Sequence, residues 1–394
     1  MTVGTPASMR ELNQRVVLEL LRGSGPATRP RIAADTGLSK PTVGQALLDL
    51  EQHGLVRTAG RTIAGPGRSA VVYEVNPAAG HVLGIDIGRG LIRAAVADLS
   101  GTVVARLDTP NKARSAGALL RIVHDCAENA VTEAGLRLPE LVTTVVGTPG
   151  VPDPESGTLR RAPNLPGWER RGLLNELRSV LGTGSGAEVL VENDANLAAI
   201  GEHEGGAARG VDVFACLTVG TGIGMGIVVD GRLFRGRHGA AGEVGYLPYG
   251  WPPPGTPPRA GMLESAAAAR SVVEIAAGQG LAARTAKDVF GLARDGDARA
   301  LRAVEEEAER LAFVVASVAA VIDPALVVLG GGIGKNTDLL IGPMSRALAH
   351  ATPMRPEIVP GELGEEAALT GAIAIALHTA RDLVFDRRHM AARG

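Results

Sequence analysis

The sequence predicts an α/β protein with a small α+β head at its N-terminus and a larger body in two halves. Three observations predict this. Two short amphipathic helices meet at a glycine turn near residue 37 and are followed by two β-rich runs. A strand–Gly-rich turn–strand pattern occurs at 83–101 and again at 217–231. A third apolar run, Val327-Val328-Leu329, ends in Gly330-Gly331-Gly332-Ile333-Gly334, which reads as a buried strand entering a helix through glycines.

Composition narrows the class. The chain has 394 residues, 45% apolar and 21% charged, which excludes disorder and provides for two or three domain cores. The longest strongly apolar stretch, Leu311 to Ile322, stops at Asp323-Pro324 and is too short to span a bilayer. The N-terminus lacks a signal-peptide layout, so the expectation is a cytoplasmic protein without a membrane partner. Two cysteines, Cys126 and Cys216, exclude a disulfide framework and a multi-cysteine zinc site. With only 3% aromatics, the core must be built from Ala, Val, Leu and Ile. Residues 1–78 hold nine basic and six acidic side chains, while the rest holds 31 and 36. A basic head on an acidic body assigns nucleic-acid contact to the head alone.

In the head, residues 9–22 place Leu12, Val16, Val17, Leu20 and Leu21 on one helical face. Gly23-Ser24-Gly25-Pro26 ends that helix. Ile32 and Ala33 belong to a second helix, with Ala33 small where two helices cross. Gly37 stands where the turn needs positive φ, and Leu38 plugs the turn. Ser39 is an N-cap and Pro41 fits the first turn of a third helix, whose buried face is Val43, Ala46, Leu47 and Leu50. These offsets form a helix-turn-helix. Lys40, Thr42 and Gln45, with Ser39, are positioned to meet DNA. Leu55 to Arg57 and Ala70 to Val75 read as strands flanking a Gly/Pro wing that carries Arg61 and Arg68, suited to phosphates or a narrow minor groove. Such heads are also recruited for protein contacts, which is the alternative reading. Residues 76–80 (Asn-Pro-Ala-Ala-Gly) mark the boundary to the body.

In the body, each Gly-rich turn exposes backbone N–H groups suited to phosphate oxygens: Gly88 beside Asp86, then Gly220, Thr221 and Gly222, with Gly331 and Gly332 in the third segment. Asp86 is placed to orient a metal ion or its water there. Between the halves, a strand ending at Val191 leads through Glu192-Asn193-Asp194-Ala195-Asn196 into a helix. Asp194 reads either as that helix's N-cap or as a general base toward a sugar hydroxyl. Asn193 offers a donor and an acceptor to a hydroxyl-rich ligand. Gly147 to Gly150 gives a backbone-exposing turn, Asn164 an amide, Trp168 an aromatic platform, and Glu243 and Glu264 further carboxylates. The 301–323 helix, acidic at its start and apolar at its end, is expected inside the second half.

Taken together, Val191 to Asn196, Gly220 to Gly224, Ala241 to Gly245 and Asn164 to Trp168 resemble the ROK family of repressors and sugar kinases, in its branch with a DNA-binding head. The resemblance covers about residues 10 to 385. It implies a two-lobed actin/hexokinase-like body: a winged helix-turn-helix at 1–78, a small lobe at 79–195 completed by a C-terminal helix near 371–386, and a large lobe at 196–370. It implies sugar contacts from Asn164, Asn193, Asp194, Glu243, Tyr246 and Glu264, with Asp194 the base if the chain is a kinase.

Two departures shape the expectation. Where family kinases carry Asp-x-Gly-Gly-Thr, this chain has Asp86-Ile87-Gly88-Arg89-Gly90; Arg89 reads either as a partner for a phosphate or, the favoured reading, as a bulky side chain in the space ATP needs, which puts ATP and Mg in doubt. At the family's zinc ligands stand Tyr246, Gly255, Pro257 and Met262, so no zinc is expected and the Pro-rich 251–258 loop would stiffen that region instead. The expected function is therefore a sugar-responsive regulator, chiefly a repressor, that binds operator DNA as a homodimer or tetramer with a small carbohydrate as effector and no required cofactor. An ATP-dependent sugar kinase that kept its head is the alternative. A constitutive regulator whose body only dimerises is a third.

Overall fold

The computed structural model describes residues 6–63, 69–153, 155–162, 165–182, 188–250 and 261–391. The head comprises α1 (Pro6–Ser24), β1 (Ala27–Thr28), α2 (Arg29–Thr36), α3 (Lys40–Gln52), β2 (Val56–Ile63) and β3 (Ser69–Val75). Gly37 sits at φ 71°, and the Ser39 hydroxyl accepts the Thr42 N–H at 3.2 Å, so α2 stops and α3 starts where the sequence places them. Val43, Ala46, Leu47 and Leu50 are all buried. The three strands pair antiparallel in the order β1-β3-β2; the short β1 has no counterpart in the sequence reading. One expectation is corrected. Leu12 is 52% exposed, and the inward stripe of α1 is Gln14, Val17, Leu18 and Leu21. The Gln14 amide donates to Asp49 of α3 at 2.8 Å, which turns the helix away from the Leu12 side.

The first half of the body is a five-stranded sheet, β10-β7-β4-β5-β6. Its strands are β4 (His81–Ile87), β5 (Leu91–Asp98), β6 (Val103–Pro110), β7 (Thr143–Thr148) and β10 (Glu188–Asn193). The last ends at Asn193, two residues beyond the sequence expectation. The β4, β5 and β6 strands form an antiparallel meander, and β7 and β10 extend it in parallel. A small ribbon, β8 (Val151–Asp153) with β9 (Thr158–Arg160), projects from the end of β7. Helices α4 (Ala116–Glu133) and α5 (Leu173–Leu181) cover one face with leucines and valines.

The second half begins with α6 (Asp194–Gly205) and repeats the opening hairpin as β11 (Phe214–Val219) and β12 (Ile223–Val229), followed by β13 (Arg232–Leu233). Then come α7 (Met262–Ala267), α8 (Ala269–Gly278), α9 (Ala286–Arg294), α10 (Ala298–Ile322), β14 (Leu326–Gly330), α11 (Gly331–Gly334), α12 (Thr337–Ala351), β15 (Glu357–Pro360) and α13 (Ala367–Ala391). The sheet order is β13-β12-β11-β14-β15. As expected, α10 lies mostly inside this half, packed with α7 to α9 and α12 on one face of the sheet.

The two sheets meet through α6 and α13. These helices touch at backbone distance: a Cβ on Gly201 would lie 2.1 Å from the Ala367 carbonyl oxygen, and one on Gly371 would lie 1.9 Å from that of Leu197. Helix α13 is long and apolar because it is wedged among β4, β7 and α6. Its C-terminal end also carries the head. Val384 and Phe385 share one apolar cluster with Val17, Leu18 and Leu21 of α1. Arg15 of α1 pairs with Asp386 at 2.6 Å and Asp382 at 3.2 Å, and its guanidinium lies 4.3 Å from the Phe385 ring centre.

Candidate functional site

Between the halves lies a cleft of about 260 Å³. Its floor is the junction of β10 and α6. The helix cap is Asn193 rather than Asp194: the Asn193 side-chain oxygen accepts the N–H groups of Ala195 at 3.0 Å and Asn196 at 3.2 Å. The same amide donates to the Gly150 carbonyl at 3.1 Å. Asn193 thus holds the floor while lining the cleft; its side-chain oxygen is taken by the helix, and one amide N–H is left for a ligand. Capping by its neighbour leaves Asp194 as the first helical residue, lining the cleft, with burial raising its carboxyl pKa.

Glu192 locks this junction from behind. One oxygen accepts the Asn193 N–H at 2.9 Å and the Asn196 amide at 2.8 Å, and the other accepts Arg235 from the second half at 2.7 Å.

The facing wall comes from the second half. Gly242 sits at φ 86°, and a Cβ there would fall 1.8 Å from the Met225 carbonyl oxygen, so only glycine brings Glu243 to the cleft. Burial raises the Glu243 pKa against the pull of Arg161. Glu264 accepts the Ile223 N–H at 3.1 Å, and one of its carboxylate oxygens is left for a ligand. Tyr246 is 42% exposed and lines the same cleft.

Arg161 is the residue that sequence reasoning missed. It adopts φ 63°, which is uncommon without glycine, and its guanidinium lies 3.7 Å from Glu243 and 4.7 Å from the Tyr246 ring centre. It therefore reaches from the first half to the second across the cleft. The only sequence signal was the Arg160-Arg161 pair just ahead of Ala162-Pro163-Asn164.

Of the phosphate-loop candidates, Gly88, Gly220, Thr221, Gly222 and Gly331 line the cleft, and Gly332 does not. Asp86 lies buried beside it, paired with Arg93 at 3.2 Å, and Arg93 is held in turn by Glu365 at 2.7 Å. Burial, then the Asp194 charge, push the Asp86 pKa up to about 7 despite Arg93. Arg89 is exposed on the cleft wall. Trp168 is corrected from platform to core: it is fully buried, and its indole N–H donates to the Thr148 hydroxyl at 2.7 Å. Asn164, Arg68 and the 251–258 loop lie outside the described residues. Of the four positions where the family's zinc ligands stand, Gly255 and Pro257 lie outside the described residues. At the other two, Tyr246 faces Arg161 and Met262 opens α7.

In the head, Lys40 and Arg61 are exposed, the Ser39 and Thr42 hydroxyls pair at 2.7 Å, and the Gln45 amide donates to Asp49 at 2.8 Å. These last contacts are local, and DNA would have to compete with them.

The ROK family profile matches residues 82–379, and an IclR helix-turn-helix profile matches residues 16–60. A glucokinase of Halalkalibacterium halodurans is 31% identical over 312 residues, 73% of this chain and 92% of that one. A xylose repressor of Caldicellulosiruptor bescii is 27% identical over 394 residues, 95% of this chain and 98% of that one, head included. A crystal structure of a ROK family transcriptional regulator, a homolog of the E. coli MLC protein, shares the fold, with a TM-score of 0.77 at 21% identity over 96% of this chain and 98% of that one. The chain belongs to the ROK family, in its branch with an N-terminal helix-turn-helix head.

Proposed function

We propose that this ROK regulator is a sugar-responsive repressor that acts as a dimer on operator DNA. A carbohydrate enters the cleft, favours one lobe angle, and changes how the two heads of the dimer are spaced. One observation carries the reading: Asp194, Glu243, Glu264 and Tyr246, scattered over 71 positions of sequence, line one small polar cleft. Carboxylates and a phenol in a cleft of that size suit a small polyhydroxylated ligand. The head is fastened to α13, which also packs on α6 behind the cleft floor, so a path of packed helices joins ligand to DNA reader. The full-length likeness to a protein named xylose repressor agrees with this. No cofactor enters the mechanism.

The test is operator binding followed by fluorescence anisotropy while monosaccharides are titrated. Asp194→Ala is expected to keep operator affinity and lose the sugar response. A mutant that still releases DNA at the wild-type sugar concentration overturns the cleft assignment.

The kinase reading is favoured by Asp194 at the cleft floor and by the likeness to a glucokinase. An ADP-release assay over a sugar panel decides it: turnover that Asp194→Asn abolishes would reverse the ranking.

A further inference from the structure

A second cavity, of about 530 Å³, opens behind the cleft floor and has no role in the sugar reading. Its first wall is the β8–β9 ribbon, α5 and the end of β10; its second wall is the 235–239 segment of the other half. Gly236 at φ 68° and Gly239 at φ 71°, with the Ala241 N–H donating to the Arg235 carbonyl at 3.1 Å, fold that segment tightly and place Arg237 and His238 on the cavity wall.

The charges there do not fully cancel: Arg160, Arg178, Arg235 and Arg237 line the cavity against Asp153, Glu155 and Glu192. Arg160 is neutralised by Asp153, and Arg235 by Glu192. Arg178 makes only a long contact to Asn175, at 3.4 Å. Arg237 and His238 have no hydrogen bond or ion pair among the described residues. The arginines stand around a floor of Leu174, Leu190 and Val191. Guanidinium forks over an apolar floor recognise a phosphate group on a compact scaffold.

We infer that this cavity is a second ligand site, for a phosphate-bearing small molecule, separate from the sugar cleft. The two walls belong to different halves, so its occupancy depends on lobe angle. Arg235 also ties it to the cleft, because the Glu192 that Arg235 holds is the residue that braces Asn193 and Asn196. A phosphate ligand that engages Arg235 therefore changes sugar affinity, and sugar changes phosphate affinity by the same factor.

The experiment is isothermal titration of the full-length protein with inorganic phosphate and with fructose 1,6-bisphosphate. At least one probe is expected to bind. The double variant Arg178→Ala/Arg237→Ala should weaken it by about tenfold for each arginine. Both side chains are exposed, so an unchanged melting temperature without ligand checks the fold. Binding by neither probe, or binding that survives the double variant, overturns the proposal. Binding lost in Arg89→Ala also overturns it, since the phosphate would then sit in the cleft.

Discussion

The two hairpin turns that flank the cleft share a pattern and differ in what holds them. The β11–β12 hairpin is held by close backbone approach around its turn. A Cβ on Gly331 would lie 2.5 Å from the Val219 carbonyl oxygen, one on Gly224 would lie 2.8 Å from the Ala195 Cβ, and one on Gly226 would lie 2.5 Å from the Ala195 carbonyl oxygen. The β4–β5 turn has one such approach, a Cβ on Gly88 lying 2.9 Å from the Leu91 carbonyl oxygen, and is otherwise held by side chains. Asn111 donates to the Gly88 carbonyl at 2.8 Å, Arg93 clamps Asp86, and a Cβ on Gly90 would meet nothing within 4 Å. The difference teaches that a repeated backbone unit need not keep repeated chemistry. The second turn stays glycine-lined and open to a ligand, while the first presents Arg89 and ties its carboxylate to an ion pair.

Four substitutions would break or sharpen this contrast. Gly331→Ala should destabilise by about 4 kcal/mol, from a positive φ (83°) and a backbone clash together; a urea-melt midpoint near wild type would remove the asymmetry. Arg93→Met should cost about 3 kcal/mol, because a buried carboxylate loses its cation. The loss should be larger at pH 8 than at pH 6, where Asp86 can take up a proton. Asp86→Asn tests the same pair through pH. The folded chain holds the Asp86 proton up to about pH 7, whereas the usual value is 3.8, so this group makes stability fall as pH rises between those values. The variant should flatten a slope of at most about 1.4 kcal/mol per pH unit, read from urea melts across that range. Gly90→Ala should change stability by less than about 0.5 kcal/mol, and a larger loss would show that the backbone constraint at Gly88 extends to Gly90.

The sequence by itself determined whatever depends on near neighbours. The α2–α3 turn was legible because Gly37, Ser39 and the Val43-to-Leu50 face lie within 14 positions and each meets a local steric or hydrogen-bonding need. The two hairpins were legible for the same reason. Single-residue roles at the cleft were less so. Asn193 and Asp194 are adjacent, both are common helix caps, and only the position of the Gly150 carbonyl decides which one caps. Trp168 beside a glycine turn reads as a platform until the Thr148 hydroxyl, 20 positions earlier, is seen to take its N–H inside the core. Arg161 carries no periodic or spacing signal at all. Its place between Glu243 and Tyr246 exists only once the two halves face each other. Tertiary structure alone decided these roles, because charge pairing, burial and close approach depend on distance in space and not on distance along the chain.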